Sequence, residues 1–562
     1  MSHTDGRSTA MTWAGWGLLA ALLAPLLAAI AWYPAFVTQD GPAHAYNAAI
    51  LLDALAGRDG GPFAKAYRVQ WVPLPNWAGH LTLAGLMAGG LSPRTADRIV
   101  MGLTLSGFAA GTLVLRRRVA GTSGSGVAAA LATLLAANVM WLYGFYGYLM
   151  GAMLFGLTLA IWWAGRDRPG PAWASKLGLL LAAGYLAHPV SLGLTAVGLV
   201  VLTLATPAHD RRAWLGRAGW TAAGLLPLVP LAVVYVRIMG QGGGGGLAPV
   251  WVVLTDPFSP AAWARQLGWI DPISLGSRLA LPFVGSWRRP HAAASPVLWT
   301  IVGLGLLAAA TRAVRGPIWR DERRGFAALA LLLLAGGVAG PDALGHNNGH
   351  FLAQRVGLLG LVSLVPWLDL GATRRSARLG RIALAVALCV QTGFVWDYAR
   401  QSQARVGPIV AAGPIVGTGQ RVGAVWARLR QPFRPNPLTH ADCLLGPEAG
   451  NVVWGNYESA HYYFPVRVRD DVPHPPVLEF EAISIRDTPA QAQERAGDWS
   501  RLLEVHHGAI DRIVIWGDDL ALETATARLY QPIGQSGPVR VYAPATPLGR
   551  RTEAMAEGAL TR

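Results

Sequence analysis

The segment Gln39-Asp40-Gly41-Pro42-Ala43-His44-Ala45-Tyr46-Asn47 carries a carboxylate and, four residues on, an imidazole. In a helix beginning near Pro42, His44 faces the loop that holds Asp40, and the two form one acid/base cluster. An aspartate partly withdrawn from water can take a proton from a hydroxyl or amine and so activate it as an acceptor. The same position also suits a plain helix cap, because Asp accepts hydrogen bonds from the first free backbone N–H groups. One residue can do both.

Further polar residues gather beside apolar stretches. Asn76 and His80 flank or interrupt a short apolar run, His188 precedes Pro189, and Asp342, His346, Asn347, Asn348 and His350 crowd the approach to Arg355. Polar groups at the mouth of a helix bundle are costly unless they line a cavity or face water. Each histidine alone fits an interfacial side chain satisfied by water, but their gathering on one side points to a site. Arg355, one turn inside a helix, can snorkel to a lipid phosphate or simply anchor the helix, and Arg94 and Arg98 offer the same option. Trp141, Tyr143, Phe145, Tyr146 and Tyr148 read as an aromatic belt, or as rings that stack on a sugar. The expected substrate contacts are therefore Tyr46, Asn47, Asn76, His80, Tyr143, Tyr146, His188, His346 and His350, with Arg355 and Arg98 at a lipid phosphate.

The elements that hold these residues must be membrane helices. Of 562 residues 52% are apolar and only 14% charged, against about 25% charged in a soluble domain. That excludes an ordinary soluble enzyme and a disordered chain. Apolar runs of about 18 residues or more, long enough to span a bilayer, recur over the first 400 positions. They cover 13–36, 97–115, 124–142, 146–164, 176–206, 217–239, 296–312, 325–341, 352–370 and 380–397. His188-Pro189 divides the long 176–206 run in two, and 77–91 is short enough to be interfacial or re-entrant. The stretch after Trp13 is too long for the apolar core of a cleavable signal and reads as a first helix that is retained.

The net charge of +16 does not imply a nucleic-acid partner. All basic residues except Lys65 and Lys176 are arginines, and many sit in short loops between apolar runs, where they orient helices. Together with the Ala and Gly richness they resemble high-GC bacterial usage. The basic loops at 116–118, 166–176, 211–217, 312–324 and 374–381 all fall on one side if 176–206 is two spans and 77–91 does not cross. The expected topology has about eleven transmembrane helices in a bacterial inner (plasma) membrane, with the N-terminus cytoplasmic. Residues 37–96 then form a long first external loop, whose stretch 42–55 reads as an amphipathic surface helix. Gly242–Gly246 reads as a hinge in a second external loop.

The tail differs. Short strand-like pieces at 451–454, 512–516 and 539–542 alternate with polar helical stretches, which predicts a small external α/β domain over 401–562 after a membrane module over 1–400. This domain is expected to bind acceptor or partner rather than to do chemistry. Cys389 and Cys443 lie in unlike surroundings, no Cys/His spacing suggests zinc, and no acidic residue follows Asp40 before Asp53, so no metal is expected. No phosphate-binding glycine loop or dinucleotide fingerprint offers a seat to a nucleotide cofactor.

A long loop after the first helix with an acidic residue at its start, the stretch Trp71-Val72-Pro73-Leu74-Pro75-Asn76-Trp77 leading into a short apolar helix, and Arg94 and Arg98 before a span ending in Arg116-Arg117-Arg118 resemble the GT-C superfamily of integral-membrane glycosyltransferases, among them protein mannosyltransferases and the aminoarabinose transferase of lipid A. The resemblance implies a mostly α, GT-C-like polytopic fold. It also implies a polyprenyl-phosphate-linked sugar donor, an envelope glycan, lipid or protein as acceptor, no cofactor, and Asp40 as the base. The sequence shows Asp-Gly-Pro-Ala-His where relatives often have an acidic pair, and His188-Pro189 where many have lysine-glycine. Two other classes fit parts of the sequence. A transporter or lipid-linked glycan flippase would account for the broken helices, although no internal repeat is visible, and a non-catalytic assembly protein would account for the tail.

The topology makes a direct prediction. A cysteine introduced near Arg117 reacts with a membrane-impermeant thiol reagent only after the membrane is opened, and labelling in intact cells would contradict the arrangement.

Overall fold

Long apolar runs broken at prolines, glycines and asparagines give a mainly helical chain. The computed structural model describes residues 4–58, 60–122, 124–241, 321–340, 351–368, 374–429 and 435–545. His346, His350, the 296–312 run and Gly242–Gly246 lie outside the described residues. The helices are α1 (Thr4–Trp32), α2 (Gly41–Leu55), α3 (Pro62–Ala66), α4 (Trp77–Ala88), α5 (Pro93–Ala120), α6 (Ser125–Ala136), α7 (Val139–Tyr143), α8 (Tyr146–Gly165), α9 (Pro171–Ala187), α10 (Pro189–Ala205), α11 (Arg211–Leu225), α12 (Leu228–Gln241), α13 (Arg324–Ala339), α14 (Leu352–Leu364) and α15 (Arg374–Ala411).

Among the described residues four helical stretches are long and apolar enough to cross a membrane: Gly15–Trp32, Pro93–Ala120, Tyr146–Gly165 and Gly380–Val416. The pair α11 and α12, bent by 44° at its break, passes as a fifth when taken together. The chain is thus a multi-pass membrane protein. Several runs that read as single spans are shorter helices, for local reasons. The 124–142 run divides where Asn138 accepts from the Trp141 N–H and starts α7. The 176–206 run divides where Pro189 lacks the N–H that would continue α9. There His188 is extended, and its Nδ1 accepts from the Val190 N–H to cap α10. Helix α4 has 12 residues, about 18 Å at 1.5 Å per residue, against an apolar bilayer core of roughly 30 Å.

Helix α5 shows how local chemistry sets the frame. Ser92 Oγ accepts from the Thr95 N–H, Pro93 fits the first turn, and the last turn carries Arg117 and Arg118 before Gly121 at φ +71°. Basic residues in a last turn offset the negative end of the helix dipole.

The later chain forms a five-stranded sheet of order β3-β2-β5-β7-β6. Here β2 is Arg421–Trp426, β3 Val452–Val453, β5 Arg512–Trp516, β6 Tyr530–Ser536 and β7 Val539–Pro544. Strand β2 runs parallel to β3 and β5, while β7 is antiparallel to both β5 and β6. Helices α16 (Gly413–Val416), α17 (Glu479–Ile485), α18 (Ala492–His506) and α19 (Leu520–Ala527) accompany it. A second ladder joins distant parts of the sequence: β1 (Tyr67–Val69) pairs antiparallel with β4 (Val466–Val468). Helix α15 runs unbroken through position 400.

Helix α2 is the hub. Ala45, Ala48 and Leu51 belong to the core shared with the membrane helices, whereas Ala43, Tyr46 and Ile50 belong to the core of the sheet region. The expected surface helix with a free polar face is therefore a helix clasped on two sides, because residues 435–468 cover the face that a lone loop would leave to water. Tyr46 OH donates to the Asn451 carbonyl at 2.9 Å and accepts from the Val453 N–H at 3.0 Å. Asn47 and Asn456 exchange amide hydrogen bonds at 2.8 and 2.9 Å. Gly446 lies so close beneath Tyr46 that a Cβ there would stand 2.2 Å from the ring.

Both asparagines are buried, so Asn47→Ala strands the Asn456 amide. A lost buried partner costs about 1–3 kcal/mol, and the variant should unfold at lower denaturant by a corresponding amount. Replacing both asparagines by leucine should cost less than the single change.

Candidate active site

A cavity of about 720 Å³ lies where the segment after α1, the membrane helices and the 435–481 region meet. Its apolar wall includes Val190, Leu194, Leu352 and Val356. Its polar wall includes Asp40, His44, His80, His188, Arg355 and His440.

Asp40 is placed by main chain. The N–H groups of Gln39 and Asp40 donate to the carbonyls of Leu142 and Tyr143, both at 3.0 Å. The turn that permits this passes through Gly144 at φ +86°, where a Cβ would stand 2.6 Å from Thr38 Oγ1. Asp40 occupies the cap position of α2, yet its side chain makes no capping bond. Thr38 does that work instead, its Oγ1 accepting from the Gly41 N–H at 3.1 Å. The Asp40 carboxylate is left to face the cavity, with His440 Nε2 3.5 Å from Oδ1 and the Tyr457 hydroxyl bonded to it. Burial pushes the Asp40 carboxyl up to about 7, against the lowering charge of His44. His440, stacked on Tyr457 at 4.1 Å between ring centroids, is pushed down to about 3, mainly by burial.

His44 does not turn to the Asp40 carboxylate as the sequence suggested. Its Nδ1 lies against Glu458 Oε1, and its Nε2 donates to the Gly144 carbonyl at 2.9 Å. His80 Nε2 is 2.7 Å from Glu458 Oε2, and its Nδ1 donates to the Asn76 carbonyl at 3.0 Å. Glu458 is fully buried. Left to protons alone, burial would raise its carboxyl, but His44 and His80 override that and hold it down at about 2. Burial would lower His44, and Glu458 instead lifts it to about 9. Among the described residues these three are the group of His, Cys, Asp or Glu side chains that could hold a metal ion.

The opposite wall is cationic. Arg355 is buried over the rings of Phe145 and Tyr148, at 4.6 and 5.5 Å from their centroids. The Tyr148 hydroxyl donates to the Arg355 carbonyl at 2.7 Å. Arg355 Nη1 stands 3.2 Å from His188 Nε2. Since His188 Nδ1 accepts from Val190, the ring proton of the neutral imidazole is on Nε2. Two donors therefore converge, and Arg355 Nε is buried without a hydrogen-bond partner. Converging N–H donors without an acceptor suit a phosphate or carboxylate.

Of the residues expected from sequence, Asp40, His44, Asn76, His80, Tyr146, His188 and Arg355 line this cavity. Tyr46 and Asn47 do not, because their polar atoms are consumed in clasping the sheet region. Tyr143 does not either: its ring packs on Phe145 and Phe351, and its carbonyl serves Asp40. Arg98 is turned away from the cavity, donating to the carbonyls of Ile30 and Ala31 at the end of α1. The sequence reading missed Glu458, His440, Tyr457, His461, Tyr463 and Phe464. The dense run Tyr457-Glu458-Ser459-Ala460-His461-Tyr462-Tyr463-Phe464 was the available signal.

No family model matches the chain, and no curated protein matches it. Among solved structures it is similar to the arabinofuranosyltransferase AftD from Mycobacteria, at 15% identity and a TM-score of 0.39 over 94% of this chain. It is also similar to ArnT from Cupriavidus metallidurans bound to undecaprenyl phosphate, at 14% identity and a TM-score of 0.41 over 95%. A mutant form of AftD gives 16% identity and a TM-score of 0.46 over 93%. The chain spans 40% of the length of AftD and 99% of that of ArnT.

Proposed function

We propose that this chain is a membrane glycosyltransferase of the GT-C kind, moving a sugar from a polyprenyl-phosphate donor to an acceptor on the extracytoplasmic side of a bacterial inner membrane. The observation that carries the reading is one cavity with a non-capping, inward-facing carboxylate on one wall and, on the other, the Arg355 guanidinium beside His188 with its Nε unpartnered. Such a pair matches the two ends of a displacement. Charge develops on a departing phosphate oxygen, and a proton must leave the attacking group.

In this mechanism the acceptor oxygen attacks the anomeric carbon as the bond from that carbon to the phosphate oxygen breaks. The bonding pair stays with the phosphate. Arg355 and the Nε2–H of His188 hold the phosphate, and Asp40 Oδ takes the acceptor proton. His440 and Tyr457 hold the carboxylate in place. The apolar wall at Val190, Leu194 and Val356 receives the first prenyl units. A single displacement of this kind inverts the anomeric centre.

Asp40→Asn removes the base and keeps the shape. Because Thr38 rather than Asp40 caps α2, the helix is undisturbed. General-base assistance is worth about 10²–10⁴-fold. The variant should therefore insert and fold as wild type and lose at least about a hundredfold in transfer from a polyprenyl-phosphate-linked sugar. Wild-type turnover in the variant would remove Asp40 from the mechanism.

A further inference from the structure

Three side chains from three separate parts of the chain meet at the outer floor of the cavity: His44 on α2, His80 on α4 and Glu458 on the turn Tyr457–Ala460. Their ligand atoms, His44 Nδ1, His80 Nε2 and one oxygen of Glu458, lie within 4.8 Å of one another. A tetrahedral zinc centre with bonds near 2.0–2.1 Å places its ligands roughly 3.3 Å apart, so a bound ion draws the Glu458 carboxylate back from its 2.7 Å contact with His80 Nε2.

The hydrogen bonds around the rings fix which nitrogens are available. His44 Nε2 and His80 Nδ1 each face a backbone carbonyl, of Gly144 and Asn76 respectively. A carbonyl only accepts, so these two nitrogens carry the protons. His44 Nδ1 and His80 Nε2 then both point at the Glu458 carboxylate. In the absence of an ion a second proton on each ring bridges that gap, and a divalent ion that displaces those protons finds two imidazole lone pairs and a carboxylate oxygen directed at one place. A ligating histidine whose other nitrogen donates to a carbonyl is the usual outer arrangement of a metal site. His80 Nε2 and Glu458 Oε2 are hydrogen-bonded, whereas His44 Nδ1 and Glu458 Oε1 touch without the geometry of a hydrogen bond.

We propose that His44, His80 and Glu458 bind one zinc-class divalent ion, with a further coordination position open to the cavity. Two imidazoles and one carboxylate favour a zinc-class ion over magnesium or calcium, which take oxygen ligands. Both histidines line the cavity while Glu458 lies behind them, so water or a ligand oxygen can complete the shell from the cavity side. Phe464 packs on both rings, at 6.4 and 5.9 Å between centroids, and Tyr146 on His44 at 5.4 Å. The ion would pin α2, α4 and the C-terminal region to one another. Its existence does not depend on the transfer reaction.

The test uses the full chain, purified in detergent, stripped with a chelator and titrated with zinc and, separately, cobalt. Wild type should take up one ion per chain, show the intense visible bands of cobalt in a tetrahedral nitrogen and oxygen site, and unfold at higher temperature with zinc than with chelator. His44→Asn, His80→Asn and Glu458→Gln should each lose the stoichiometric ion and the zinc-dependent shift. His474→Asn, outside the cavity, should keep both. Should a ligand variant fail to fold, the wild-type cobalt spectrum and stoichiometry decide alone. A wild-type protein that binds no stoichiometric ion, or ligand variants that bind as wild type does, would overturn the site and leave a proton-bridged triad.

Discussion

A carboxylate removed from water must find positive or hydrogen-bonding partners, since a buried unpaired charge costs several kcal/mol or more. Glu458, fully buried, meets that demand with His44 and His80. The two histidines sit on α2 and α4, in the segment after α1, whereas Glu458 arrives from more than 370 positions away. Satisfying this one group therefore fixes the C-terminal region against α2 and α4. The Asn47–Asn456 amide pair, the Tyr46 hydroxyl and the β1–β4 ladder reinforce the same seam. Residues of the C-terminal region held by this seam, among them His440, Tyr457 and Phe464, form one wall of the cavity.

The two walls of the cavity have different origins, and the division follows from physics. The membrane helices supply apolar side chains and an arginine whose charge is sheltered between aromatic faces, an arrangement that suits a guanidinium better than an ammonium. The segment after α1 and the 435–481 region supply carboxylate, imidazole and phenol groups, whose hydrogen bonds can be satisfied by backbone and by one another. A ligand that is part hydrocarbon and part phosphate spans both environments. The break at His188-Pro189 lets the two meet, because it carries an imidazole into the membrane side of the cavity without leaving an unsatisfied helix end.

Much of the membrane architecture was legible in the sequence. Apolar runs and their proline breaks reflect local forces, so α1, α5, α8 and the α9/α10 break lie where the sequence put them, and Asp40 and Arg355 stood out by type and position. Helix lengths were less legible. Asn138 ends a run that hydropathy alone would continue, through a hydrogen bond that composition does not reveal. Tyr46 and Asn47 look like site residues because they adjoin Asp40 and His44, but on a helix clasped from two sides adjacent residues serve different neighbours. Glu458 and His440 were invisible because their significance lies in contacts across the whole length of the chain. The run 457–464 shows an unusual local composition, yet nothing local says which cavity it enters.

The account centres on a phosphate held by Arg355 and His188 across from Asp40. The most direct measurement is an electron cryo-microscopy map of the full chain with a polyprenyl monophosphate bound. The account predicts phosphate density within hydrogen-bond reach of Arg355 and His188 Nε2, with the first prenyl units along Val190, Leu194 and Val356. Phosphate density away from Arg355, with this cavity unchanged, would contradict it.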